Sequence, residues 1–396
     1  MTATSPDRVG SAAASRAHFP CFDGLRAVAA IAVVFTHVSF VTTANRQWGG
    51  SYLARLDSGV AIFFVISGFL LYRPFVSRVL SGDPLPRTGA YLWRRALRIY
   101  PAYWIAAVVV GVVFGVSRWD GIADAASHLA LVHIYDPDTV VSGPISQAWS
   151  LGTELGFYLA LPLLARVARA IAARTDRRVR PQLLFVAALI ATGLTYRWAV
   201  FTFADGRHAA AYATWLPGFL DQFGLGMALA VVSSAGDTER GPRWLAEGSV
   251  VLALASLTVA AFAIGLPPSS LAYSTSSLLL RQVTYGLFGF FLMLPGVFGD
   301  QDRGPVRAVL RSAPMRWLGL VSYGIYLWHQ FFVDRFQRWT DTPEFAGQFG
   351  QAIAIVLVGS VAAATVSYVA AERPLLSLKG RVPQRDSTPA GVGLAT

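Results

Sequence analysis

The chain has 396 residues, 54% of them hydrophobic and 14% charged, and its mean hydropathy is +0.49. A soluble domain carries about a quarter of its residues charged, so this composition excludes an ordinary water-soluble globule and describes a polytopic membrane protein. The net charge of +11 is nearly all arginine, Lys379 being the only lysine, and these arginines cluster between apolar runs, where topology explains them and nucleic acid is not implied.

Residues 1–20 are polar and small and lack the apolar core of a cleavable signal peptide, which predicts an N-terminal tail followed by a first span that serves as an uncleaved insertion signal. The next stretch, CFDGLRAVAAIAVVFTHVSFV from Cys21 to Val41, is long enough to cross a bilayer yet carries Asp23, Arg26 and His37. Ionisable groups inside a span are costly, and their presence points to function. Arg26 and His37 are separated by about 16 Å of helical rise and about three turns, so both leave one face, near opposite ends. Singly, each has a bland reading: an arginine that snorkels, and a histidine that packs. Cys21 is the only cysteine, which excludes an internal disulfide and a multi-cysteine metal site.

About ten spans follow from periodicity and length, at 22–42, 59–79, 101–117, 149–172, 183–203, 212–233, 246–266, 277–298, 316–337 and 350–371. Alternate loops are rich in arginine, from Arg78–Arg98 and Arg166–Arg180 to Arg303–Arg316, whereas the opposite loops hold Asp120, Asp124, Asp136 and Asp138. The positive-inside rule then places both termini in the cytoplasm. Residues 21–374 form the membrane domain, and 375–396 read as a disordered cytoplasmic tail. Chemistry has to take place within the bundle or at its surfaces.

Several motifs could carry it. GAYLWRRALRIYPAYW, residues 89–104, places Arg94, Arg95 and Arg98 in a basic turn between aromatic residues, with Pro101 restarting the next helix. It is either an interfacial anchor or a phosphate site. GVAIFFVISGFLLY puts Ser67 and Gly68 amid bulky residues, as helix packing or a passing substrate would need. QAWSLGTELGFY places Glu154 a turn inside the fourth span, toward the end where His37 lies; buried there, it would orient the imidazole. Asp221 reads as a helix-packing hydrogen bond. Ser322, Tyr326 and His329 lie within about 40° on one helix, as a buried network or a groove for a hydroxylated substrate.

Taken together, FDGLRAVAAIAVVFTH, GVAIFFVISGFLL, RRALRIYPAYW, QAWSLGTELGFY, SYGIYLWH and the closing ERP at 372–374 resemble the motifs of the integral-membrane acyltransferase type 3 family over nearly the whole chain. The resemblance implies a bundle of about ten helices that moves an acyl group, commonly from acetyl-CoA, to a hydroxyl of a sugar, glycan, glycolipid or glycosylated metabolite. Arg26 and His37 match the family's essential pair, Arg94, Arg95 and Arg98 its basic segment, and Glu154 the first carboxylate of its tryptophan-serine-leucine motif. Leu155 stands where many relatives have a second glutamate. The hydrolase-like domain of the SGNH class that many relatives carry is expected to be lacking, as in a standalone transferase.

The chemistry that follows has His37 as general base on the acceptor hydroxyl, or as carrier of the acyl group, with Glu154 orienting it. Arg26 fixes the donor or stabilises the oxyanion, and Arg94, Arg95 and Arg98 hold the phosphates of acyl-CoA. Asp23, Ser67, Ser322, Tyr326 and His329 are the candidates for substrate contact. No metal and no permanently bound cofactor are expected. The expected partners are acyl-CoA, a sugar or glycan acceptor and the lipid of the plasma membrane. The rival is a transporter or flippase whose polar residues line a pathway.

Overall fold

Without water to take up a free N–H or C=O, an apolar run in a bilayer has to satisfy its backbone internally, and a helix does so. A computed structural model describes residues 19–377 apart from 48, 116–118, 176–177, 237, 239–244, 266–272, 344 and 346. Among the described residues it is helical, with no strand. The long helices are α1 (Phe22–Val41), α2 (Gly59–Ser81), α3 (Thr88–Val108), α4 (Trp149–Ala172), α5 (Val179–Phe203), α6 (Leu220–Ala235), α7 (Leu245–Ala263), α8 (Thr275–Val297), α9 (Ser322–Trp339) and α10 (Phe349–Ser367). All except α9 belong to the nine segments among the described residues that are long and apolar enough to span a membrane. The expected tails lie largely outside the described residues, as do Arg177, Lys379, Arg381 and Arg385.

Two boundaries differ from expectation. The basic segment is not a loop that Pro101 restarts: α3 begins at Thr88 and runs through Pro101 as one helix. A membrane helix tolerates the missing N–H because its neighbours compensate. The span expected at 316–337 breaks at Val321 into a short helix, Ala313–Leu320, and α9. Helix α9 is not among the nine apolar segments, because Asp334, Arg335 and Arg338 add three charges to Ser322, Tyr326 and His329, which are buried in the bundle.

At the centre stand α1, α2 and α6, the most buried of the spans. Helix α1 packs on α2, α9, α10 and the Ala313–Leu320 helix, while α2 packs chiefly on α6 and also touches α4 and α8. Glycine permits the closest of these approaches. A Cβ on Gly68 of α2 would strike the Phe223 carbonyl of α6, and one on Gly226 of α6 would strike the Val65 carbonyl of α2. Two backbones therefore lie against each other without intervening side chains, which fixes the position of Ser67 beside Gly68. Gly82, at φ +87°, ends α2 in the left-handed conformation with its N–H on the Arg78 carbonyl at 3.0 Å.

Candidate active site

The site begins with α1, which displays Arg26 about one turn from its start and His37 about one turn from its end. Arg26 Nη1 donates to Asp23 Oδ1 at 2.8 Å across a single helical turn. Asp23, a candidate for substrate contact, thus holds the guanidinium in place. The pair lines a small chamber of about 70 Å³ together with Arg98, Tyr323 and Glu372.

Arg26, Arg98 and Tyr323 also line a second, narrow chamber of about 100 Å³. Arg95 and Arg98, three positions apart on α3, both face it, and Ser67, Ser150, Glu154, Tyr158, Ser322 and Tyr326 complete its polar wall. Ser67 Oγ donates to Glu154 Oε1. Three guanidiniums against the one carboxylate of Glu154 make the chamber attractive to an anion or to polarised carbonyl oxygens. Arg94, the remaining member of the basic segment, does not line it.

His37 opens elsewhere, into a wide chamber of about 730 Å³. Its Nδ1 lies 2.9 Å from the Val33 carbonyl. A carbonyl only accepts, so Nδ1 carries the proton and Nε2 presents its lone pair. His329 repeats the arrangement, with Nδ1 2.8 Å from the Tyr326 carbonyl and the two ring centroids 4.9 Å apart. The Nε2 of His329 is buried without a hydrogen-bond partner. The expected stripe on α9 is therefore divided: Ser322 and Tyr326 face the narrow chamber, and His329 stands against His37.

Glu154 does not stand beside His37, contrary to expectation. The two line no common chamber, and the wall between them includes Val60 and Tyr326, which face both chambers. The carboxylate in the wide chamber is Asp57, whose two oxygens accept from Arg281 Nη2 and Tyr285 Oη. Asp221 is buried and accepts from Gln282 Nε2 at 2.7 Å, in keeping with the packing role read from the sequence.

Part of the connection between α3 and α4 closes the wide chamber, to which it contributes Val141, Ser146 and Gln147. Within it, His133 is 1% exposed and stacks on His128 at 4.5 Å. Ser142 Oγ lies 3.3 Å from His128 Nε2 and Asp124 Oδ1 3.1 Å from Nδ1, but this is not a nucleophilic triad. The Ser142 hydroxyl donates to the Thr139 carbonyl at 2.9 Å, and His128 Nδ1 lies 3.0 Å from the backbone carbonyl of Asp124. Burial, with His128 alongside, pushes His133 down to about 4. Its neutral form is favoured by the fold, so this stabilisation is complete above the unfolded value near 6.5 and is lost as the pH falls toward 4. It amounts to about 3 kcal/mol. Limited proteolysis in nanodiscs should therefore cut within residues 122–146 increasingly as the pH falls from 6.5 to 4. A His133→Leu variant with the same pH dependence would exclude this histidine as the cause.

A family model described as an acyltransferase domain matches residues 19–372. The chain belongs to the acyltransferase type 3 family. This acyltransferase is 27% identical over 394 residues to the acyltransferase MdmB of Streptomyces mycarofaciens, an alignment covering 91% of this chain and 92% of that one. It is 26% identical over 340 residues to the peptidoglycan O-acetyltransferase OatA of Listeria monocytogenes, covering 80% of this chain and 49% of OatA. To nodulation protein 10 of Rhizobium leguminosarum it is 28% identical over 177 residues, 39% of this chain and 46% of that one. No solved structure matches.

In the acyltransferase, Asp57, Gln147, Tyr158 and Glu372 line the chambers and were not singled out in the sequence. Gln147 and Tyr158 lie within the quoted QAWSLGTELGFY and Glu372 opens the quoted ERP, so their signal was membership of a motif. Asp57 had none, since an aspartate at the mouth of a span looks like any interfacial charge.

Proposed function

We propose that this acyltransferase moves an acyl group, most simply acetyl, from acyl-CoA to a hydroxyl of a sugar, cell-surface glycan, glycolipid or glycosylated metabolite. It works in the plasma membrane, with both termini and the Arg26 end cytoplasmic. One observation carries the reading: a cationic chamber at Arg26 and a histidine chamber at His37 lie along a single helix and share the wall residues Val60 and Tyr326. The name of OatA, a peptidoglycan O-acetyltransferase, supports a hydroxyl acceptor on a glycan.

Arg94, Arg95 and Arg98 hold the donor phosphates at the cytoplasmic end, with Arg26 beneath them. An extended pantetheine arm has the reach to run through the narrow chamber, where Ser67, Glu154 and Ser150 offer partners to its amides, and to bring the thioester to Val60 and Tyr326. The acceptor hydroxyl waits in the wide chamber. His37 Nε2 takes its proton as the oxygen attacks the thioester carbonyl; the C–O bond forms, the C–S bond breaks, and the proton passes to the departing thiolate. The distance along α1 supports a donor role for Arg26, because about 16 Å of rise separates it from a carbonyl at His37.

The test uses the purified protein in nanodiscs with labelled acetyl-CoA and a cell-envelope extract. Label should reach a glycan or glycolipid fraction with wild type and fail to do so with His37→Gln. Flux of a polar solute without consumption of the thioester would instead establish a transporter.

A further inference from the structure

The wall of the wide chamber holds a buried hydrogen-bond acceptor that nothing in the chain satisfies. Gln147 is 5% exposed, and its Nε2 donates to the Tyr326 carbonyl and to the Leu327 carbonyl, each at 3.0 Å. Both partners only accept, so the amide has a single orientation and both of its N–H groups are used. Its Oε1 is left buried with no partner. An orphan of this kind costs about 1–3 kcal/mol, and a ligand that brings a donor removes the cost. Gln222, on α6, lines the same chamber, is 2% exposed and has an unpartnered Oε1 as well.

The rest of the wall narrows what that ligand can be. Two guanidiniums line the chamber, but both are engaged. Arg281 donates to Asp57, and Arg197 donates to the Gly218 carbonyl at 2.8 Å and the Ala213 carbonyl at 3.1 Å. An anion entering here would meet Asp57 and two amide oxygens, and guanidiniums already donating to Asp57 and to backbone carbonyls. Trp149, Phe219 and Tyr285 supply apolar faces, which suit a ring carrying hydroxyls at its edge.

We propose that Gln147 is a specificity-determining residue of the acceptor site. Its Oε1 accepts from a hydroxyl of an uncharged, ring-shaped acceptor, with Gln222 as a second acceptor, and together they turn away a ligand that presents a carboxylate at that point. The placement also serves the reaction. The Tyr326 carbonyl receives both Gln147 Nε2 and His329 Nδ1, so Gln147 hangs from the same atom that positions the neighbour of His37. A hydroxyl held by Gln147 is thus presented in the chamber where His37 Nε2 acts. This inference rests on the wide chamber being the acceptor site.

The test measures binding separately from transfer. Methyl β-glucoside and methyl β-glucuronide are titrated by saturation-transfer NMR against the protein in nanodiscs, with empty nanodiscs as blank. Wild type should bind the neutral glycoside at least about tenfold more tightly than the anionic one, a factor worth one hydrogen bond. Gln147→Met should lose about that factor for the glucoside while acetyl-CoA binding stays at the wild-type value. Gln222→Met makes the same test from another helix, should Gln147→Met fail to fold. Equal binding of the two glycosides, no binding of either, or glucoside affinity unchanged in both variants would each overturn the proposal. Failure of acyl transfer appears separately, in the movement of label from acetyl-CoA with wild type.

Discussion

Replacing His37 with glutamine should lower the rate of acyl transfer by about 10²–10⁴-fold, the usual worth of a positioned general base. Glutamine can keep a donor on the Val33 carbonyl and fill a comparable volume, so the helix and the wide chamber survive. What it lacks is a lone pair basic enough to take the proton of an alcohol near neutral pH. His329 cannot replace it: its Nε2 is buried without a partner, and the residue does not line the wide chamber. The decisive comparison is single-turnover transfer of label by wild type and His37→Gln at equal occupancy of acetyl-CoA. A variant rate within about tenfold of wild type would remove His37 from the chemistry, both as base and as acyl carrier.

The fold was legible because lipid leaves a chain few choices. Apolar runs of sufficient length and arginine-rich connections were enough to place most of the helices, and they failed where polarity was buried. The pattern over 316–337 predicts one span, and what it misses is the break at Val321, where the helix whose polar face turns inward to Tyr326 and His329 begins. The basic segment reads as a loop because three arginines and a proline suggest an interface, whereas Arg95 and Arg98 of α3 face a chamber inside the bundle. Part of the chamber lining was legible in the sequence, but not its pairing. Arg26, Arg95, Arg98, Ser67 and Glu154 do converge, and His37 does open at another level. Which group donates to which carboxylate depends on helices far apart in sequence. Ser67 and Glu154 are 87 positions apart, and Asp57 and Arg281 are 224 apart; neither pairing leaves a periodic trace.

Arg26 separates the two-chamber arrangement from a single reacting cluster. If it grips the donor at a distance from the reacting carbonyl, Arg26→Ala should raise KM for acetyl-CoA by about tenfold to a hundredfold, the loss of a hydrogen bond from a charged donor. The rate at saturating donor should stay within about threefold of wild type, because an interaction made equally before and during reaction affects binding alone. An oxyanion-stabilising arginine predicts the opposite split, with kcat falling by two to three orders of magnitude, as is usual when such a donor is removed. Removing the guanidinium strips Asp23 of its partner at 2.8 Å and leaves Glu372 in the same small chamber facing one cation fewer. The double variant Asp23→Asn with Arg26→Ala removes the stranded carboxylate, so it should recover thermal stability lost by Arg26→Ala while the weakened donor affinity remains. Recovery of donor affinity along with stability would show that Arg26 serves only the fold. A collapse of kcat at unchanged KM would bring Arg26 to the reacting carbonyl and leave no place for a donor arm running the length of α1.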